Sequence, residues 1–122
     1  RILVVDDSIT TRTLEKNILE AAGFHVVTAI DGMEALKRLK AEPIDLIVTD
    51  IEMPNMNGFV LTRNIREHPD YNRLPVILVT SLESQEDRKQ GMDAGADAYI
   101  VKRGFDQANL LITIKQFLNG TD

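Results

Sequence analysis

The chain reads as an α/β protein of five alternating strand and helix units, a (βα)5 layout around a parallel, doubly wound sheet. Three observations lead there. Short apolar runs recur at residues 2–5, around Val26 and Val27, and at residues 46–49, 76–79 and 99–101. Segments with helical spacing separate them, the alternation that marks βαβ units. The runs near residues 46, 76 and 98 are almost wholly apolar instead of alternating, as strands covered on both faces are.

Each helix has its own signal. Leu14, Ile18 and Ala21 recur at helical spacing and predict the inner face of the first helix, as Leu110, Ile114 and Phe117 do for the last. Asp31 followed by Glu34 reads as a capping box opening the second, with Ala35, Leu36 and Leu39 turned inward. The third is expected to start near Asn57 and to carry Leu61 and Ile65. Residues 83–90 are polar throughout, with Met92 and Ala94 as the first apolar anchors, so the fourth helix is expected to be the most mobile element. Gly23, Gly95 and Gly104 punctuate the elements, and Asn119-Gly120 after Phe117-Leu118 reads as a helix stop. Ile112 points away from the side of Ile114 and is expected to be exposed.

With 122 residues the chain is expected to be a single domain, 1–122. Position 1 is Arg and the first strand begins at once, which suggests a domain cut from a longer protein. A net charge of −5 argues against direct nucleic-acid binding, which needs clustered Lys and Arg. No apolar stretch approaches the roughly 20 residues that span a bilayer, so no membrane partner is expected. Without cysteine there is no disulfide, thiolate zinc site or thiol chemistry, in keeping with a cytoplasmic location.

The strand ends carry the chemistry. The first run leads into Asp6 and Asp7, the third into Asp50, the fourth into Thr80 and the fifth into Lys102, whereas the second ends on nothing reactive. In an open parallel sheet these ends converge at the carboxyl edge, where such folds bind ligands. Clustered acids raise one another's pKa unless a cation balances them. Hard oxygen ligands without Cys or paired His favour Mg²⁺, or Mn²⁺ in its place. Asp7 and Asp6 would hold the metal, directly or through water, and Lys102 would add a fixed positive charge. A metal so held suits phosphoryl oxygens, which makes Asp50 a plausible nucleophile, Thr80 a donor to the phosphoryl group and Glu52 a metal ligand through its backbone carbonyl. Taken singly, each has a plainer reading: Asp6-Asp7 or Thr80 as caps, Asp50 as a loop acid, Lys102 as a surface lysine. Four strands placing complementary groups at one edge is hard to obtain by chance.

Val5-Asp6-Asp7-Ser8, the stretch from Asp50 to Gly58, Val79-Thr80-Ser81 and Tyr99-Ile100-Val101-Lys102 together resemble the response-regulator receiver domain of two-component signalling. The resemblance spans essentially the whole chain. It implies a flavodoxin-like sandwich with strand order 2-1-3-4-5 and Mg²⁺-dependent transfer of a phosphoryl group to Asp50. The donor would be the phosphohistidine of a histidine kinase or a histidine phosphotransfer domain, with later hydrolysis. It also implies that Thr80 and Tyr99 form a switch acting through the fourth helix, fifth strand and fifth helix on an output or motor protein.

One junction departs from the family pattern. Pro usually follows the lysine with a cis bond, and here Arg103-Gly104 follows Lys102. The run from Lys102 to Gln107, with Glu86-Asp87-Arg88 and residues 91–98, is similar to receivers fused to hybrid chemotaxis-type histidine kinases. A stand-alone chemotaxis-type regulator or a phosphate sink is the alternative. A phosphohydrolase with Asp50 as nucleophile would want a second Asp two residues on, where Glu52 stands. A flavodoxin would need a Ser/Thr/Gly-rich phosphate loop where Asp6-Asp7 would repel the flavin phosphate, and a pseudo-receiver would lack one of the acids or the lysine. His25 and His68 have no ligand partner in register.

Overall fold

The computed structural model describes residues 1–102 and 107–118. In chain order they form β1 (Ile2–Val5), α1 (Ile9–Ala21), β2 (Val26–Ala29), α2 (Gly32–Ala41), β3 (Leu46–Thr49), α3 (Gly58–Glu67), β4 (Val76–Thr80), α4 (Gln85–Ala94), β5 (Ala98–Val101) and α5 (Gln107–Leu118). All strand pairs are parallel and the order is β2-β1-β3-β4-β5, the topology that the resemblance implied.

Alternate residues of each strand feed two cores, one on each face of the sheet. Leu3, Val5, Ile47 and Leu78 pack with Ala35 and Leu39 of α2 and Leu61 and Ile65 of α3. Ile2, Val4, Val48, Ile77, Val79 and Ile100 pack with Leu19 of α1 and Leu110 and Ile114 of α5. The same parity carries past the strand ends. Asp6, Asp50 and Lys102 lie two residues beyond Val4, Val48 and Ile100 and continue the row facing α1 and α5. Thr80, two beyond Leu78, continues the opposite row, to which the half-buried Tyr99 also belongs.

Four helices start at side-chain caps, because the first turn of a helix leaves N–H groups without intrahelical partners. Ser8, Asp31, Asn57 and Ser84 accept from the N–H groups of Thr11, Glu34, Val60 and Asp87 at 3.3, 2.8, 2.9 and 3.0 Å. The expected capping box at Asp31 is present in altered form: Glu34 reaches back to the N–H of Ile30 at 3.0 Å. Arg66 of α3 donates to the carbonyls of Gly95 and Leu74 and pairs with Asp97 at 2.7 Å, tying α3 to the entries of β4 and β5.

Three expected faces are corrected. On α1 the buried residues are Glu15, Ile18 and Leu19, while Leu14 is 51% exposed and Ala21 is exposed. The stripe has the expected spacing but is rotated by one position, which seats Leu19 in the core and Glu15 beside the sheet edge. On α5, Leu110 and Ile114 are fully buried, but Phe117 is 36% exposed. On α4 the sheet side consists of Gly91 and Ala94, and Met92 is exposed. A Cβ at Gly91 would stand 2.8 Å from Leu78 Cδ1 and 3.1 Å from Tyr99 Cδ2, so the missing side chain is what lets α4 approach. Ile112 is 57% exposed, as expected. Arg103, Gly104 and the helix stop at Asn119-Gly120 lie outside the described residues.

With only a glycine and an alanine buried, α4 has the least apolar anchorage of the described helices. Native-state hydrogen exchange should show its amides opening well before those of α1; equal protection in the two helices would contradict this.

Candidate functional site

The site forms where β1, β3 and β5 end, and the local sequence explains each placement. Asp6 is 1% exposed and its N–H still pairs with the carbonyl of Ala29 at 3.1 Å, so it extends β1 by one residue. Its Oδ1 accepts from Ser8 N–H at 2.9 Å, while Arg12 donates to its carbonyl at 2.8 Å. Asp50 extends β3 in the same way, through its N–H to the carbonyl of Val5 at 2.9 Å. The chain then curls back until Gly58 meets the Asp50 carbonyl, where a Cβ would stand 2.3 Å from that oxygen. Only glycine permits this approach. Asn55, with φ of 67°, closes the turn and donates to Asp31 at 2.7 Å.

Lys102 joins the two buried acids. Its Nζ lies 3.0 Å from Asp6 Oδ2 and 3.2 Å from Asp50 Oδ2. The other oxygen of Asp50 accepts from Ile51 N–H at 2.7 Å. Burial pushes the Asp6 carboxyl above its ordinary pKa, against the Ser8 and Lys102 hydrogen bonds that favour its charged form. Burial also works against the Lys102 ammonium, but the Asp6 hydrogen bond and the nearby carboxylate charges outweigh it and raise the pKa. Lys102 therefore stays charged at neutral pH. Asp7, exposed at the mouth, completes a carboxylate cluster with Asp6 and Asp50 whose ligand oxygens lie within 4.8 Å of one another. Three hard oxygen donors so arranged fit an Mg²⁺-sized divalent cation.

Residues 2–115 match the family described as response regulator receiver domain. The chain belongs to that family. The receiver is 46% identical over 102 residues to the gliding motility regulatory protein of Myxococcus xanthus, covering 84% of this chain but only 13% of that protein. Among solved structures, it resembles the receiver domain of a signal transduction histidine kinase from Syntrophus aciditrophicus with a TM-score of 0.91 and 36% identity, covering 99% of this chain and 91% of that one. It also resembles the receiver domain of a sensor histidine kinase from Pseudomonas aeruginosa, solved with a magnesium ion coordinated in its active-site cleft. That match has a TM-score of 0.89 and 28% identity, and covers 98% of this chain and 97% of that one. As a family member, the receiver is a phosphoaccepting signalling domain and not a conventional enzyme.

The remaining expected residues of the receiver fall around this centre. Thr80 is fully buried and its Oγ1 accepts from Leu82 N–H at 3.3 Å. Tyr99 donates its hydroxyl to the Leu82 carbonyl at 2.7 Å, so Thr80 and Tyr99 converge on the loop between β4 and α4. Arg88, whose place in the sequence points to no role at this site, lies 4.9 Å over the Tyr99 ring. The exposed Glu52 accepts from Ser81 Oγ at 3.4 Å across the mouth. Neither histidine joins the site: His25 is exposed, and His68 stacks on Tyr71 with ring centroids 4.0 Å apart.

Glu15 is the residue that sequence reasoning missed. A lone charged residue beside an apolar stripe gives no signal of burial, yet Glu15 is only 2% exposed. Burial, reinforced by the charge of Asp6, pushes its pKa from 4.5 up to about 8, with Lys102 opposing and Asp50 adding. Between those values the folded receiver keeps a proton that the unfolded chain has released. The stability associated with Glu15 is thus complete below about pH 4.5 and is lost as pH rises to about 8. Its slope is at most about 1.4 kcal/mol per pH unit. Urea unfolding of Glu15→Leu should therefore show a stability relative to the unsubstituted protein that rises from pH 5 to pH 8; parallel pH profiles would refute the raised pKa.

Proposed function

We propose that Asp50 is the phosphoacceptor of this receiver. The observation that carries the reading is the Asp50 carboxylate itself, 8% exposed, with one oxygen on Ile51 N–H, the other on Lys102, and the carboxylates of Asp6 and Asp7 beside it. The donor is the phosphohistidine of a histidine kinase or histidine phosphotransfer domain. The N–P bond breaks as an Asp50 oxygen bonds to phosphorus, and the imidazole nitrogen keeps the bonding pair. Hydrolysis later returns the carboxylate and releases inorganic phosphate.

Asp6, Asp7 and Asp50, with the Glu52 backbone carbonyl, would hold Mg²⁺, which Mn²⁺ could replace. When bound, the ion neutralises charge that develops on the phosphoryl oxygens. Lys102 supplies a second, fixed charge, so the acceptor is preorganised. Thr80 donates to the phosphoryl group and Tyr99 turns inward behind it, changing the surface formed by α4, β5 and α5 toward an output or motor protein. A charge of roughly −1.5 to −2 arriving at one carboxylate is enough to bias a two-state element.

The domain, 1–122, acts in the cytoplasm within a hybrid chemotaxis-type histidine kinase, a reading supported by the similarity to a kinase-borne receiver. A stand-alone chemotaxis-type regulator or a phosphate sink is the second reading, supported by 41% identity over 103 residues to the chemotaxis protein CheY-3 of Vibrio cholerae, 79% of which is covered. An aspartate-nucleophile phosphohydrolase is disfavoured because the position two beyond Asp50 holds an exposed Glu52.

Incubation with acetyl phosphate and Mg²⁺ should add the mass of one phosphoryl group, read by intact mass spectrometry. The adduct should vanish with EDTA and in Asp50→Asn; its persistence in Asp50→Asn would overturn the acceptor assignment. Lys102→Ala should retain Mg²⁺ binding by calorimetry while losing the phosphorylation-dependent change in amide chemical shifts of α4 and β5. Loss of metal binding instead would contradict the role given to Lys102.

A further inference from the structure

The row of side chains facing α1 holds one acid that the phosphoacceptor chemistry leaves unused. Glu15 is buried on the sheet side of α1, has no hydrogen-bond partner among the described residues, and shares with Lys102 the wall of a pocket of about 190 Å³. The other lining residues are Thr11, Leu14 and Val79. An acid enclosed largely by other side chains loses much of its hydration, and the cost is much greater for its charged form. The charged groups acting on it are Asp6 from the end of β1, Asp50 from the end of β3 and Lys102 from the end of β5; the neighbours on β4 and on α1 at this pocket are uncharged. Among the described residues, only Lys102 favours its ionisation.

We propose that Glu15 is a positioning residue for Lys102, whose uncharged carboxyl leaves the ammonium free for the phosphoryl group at Asp50 and whose carboxylate draws it back. Phosphoryl acceptance then falls as pH rises through the neutral range. The inference rests on the reading of Asp50 as acceptor. The carboxylate acts in two ways: it competes with Asp6 and Asp50 for the Lys102 ammonium, and it adds a negative charge against an incoming phosphoryl dianion. Lys102 itself does not titrate in this range, since its pKa is raised. Bound Mg²⁺ favours the carboxylate and moves the transition to lower pH.

The decisive experiment measures initial rates of adduct formation from acetyl phosphate at saturating Mg²⁺ and constant ionic strength, from pH 5.5 to 9. Unsubstituted protein, Glu15→Gln, Glu15→Leu and Asp50→Asn are compared. The unsubstituted rate should fall by up to about tenfold over two pH units, as for a reaction carried by the neutral form of one group. Both Glu15 variants should lack that fall, and Glu15→Leu keeps the test decisive should the buried amide of Glu15→Gln impair folding. Independently, ¹³C-carboxyl NMR of the metal-free protein should show one glutamate titrating near pH 8 that is missing in Glu15→Gln. Adduct formation with the same pH profile in all three Asp50-containing proteins would overturn this inference alone, as would every glutamate titrating in the ordinary range near about 4.3. An adduct missing from the unsubstituted protein at every pH would overturn the acceptor reading and this inference with it.

Discussion

Two carboxylates buried at the end of a parallel sheet require a cation, and the arrangement of the whole site follows from how that requirement is met. Asp6 is 1% exposed and Asp50 8% exposed, and Lys102 bridges them at 3.0 and 3.2 Å. Removing charges from water costs several kcal/mol each, and a pair survives there only with good geometry and further hydrogen bonds. Those bonds come from Ser8 N–H to Asp6 and Ile51 N–H to Asp50. The balance is incomplete, because one ammonium faces three acids once Asp7 is counted. The excess negative charge is what makes the cluster receptive to a divalent cation, and hence to phosphoryl oxygens.

The sheet converts this local balance into a two-sided device. Period-two alternation puts Asp6, Asp50 and Lys102 in the row facing α1 and α5, and Thr80 and Tyr99 in the row facing α4. Asp50 is thus separated by one layer of backbone from Thr80 and Tyr99, which meet at Leu82. The element next to them is α4, held by Gly91 and Ala94 with Arg88 over the Tyr99 ring. Packing is tight around Asp6 and Asp50 and sparse beneath α4.

The strand endings were legible from residues alone, since an apolar run followed by Asp6, Asp50, Thr80 or Lys102 specifies both the strand and the group at its end. The caps at Asp31 and Asn57 were legible for a similar local reason: their side chains bond N–H groups three residues away. Helix faces were less so. Spacing predicted a stripe on α1 through Leu14, whereas packing rotated it to Glu15, Ile18 and Leu19. Nothing in the spacing distinguishes the two, because both sets repeat at three and four. On α4, Met92 looked like the anchor, and Gly91 took that place because contact with Leu78 and Tyr99 leaves no room for a side chain.

By itself, the sequence determined the alternation of five strands and helices, the positions at which strands end, and the identity of the groups found there. These depend on local pattern and on residue chemistry. Strand order, the bridge from Lys102 to both acids, the burial of Glu15 and the clasp of Arg88 on Tyr99 were decided by tertiary structure. They join residues as far apart as Asp6 and Lys102, and which atoms meet across such separations is set by packing the two cores against one sheet.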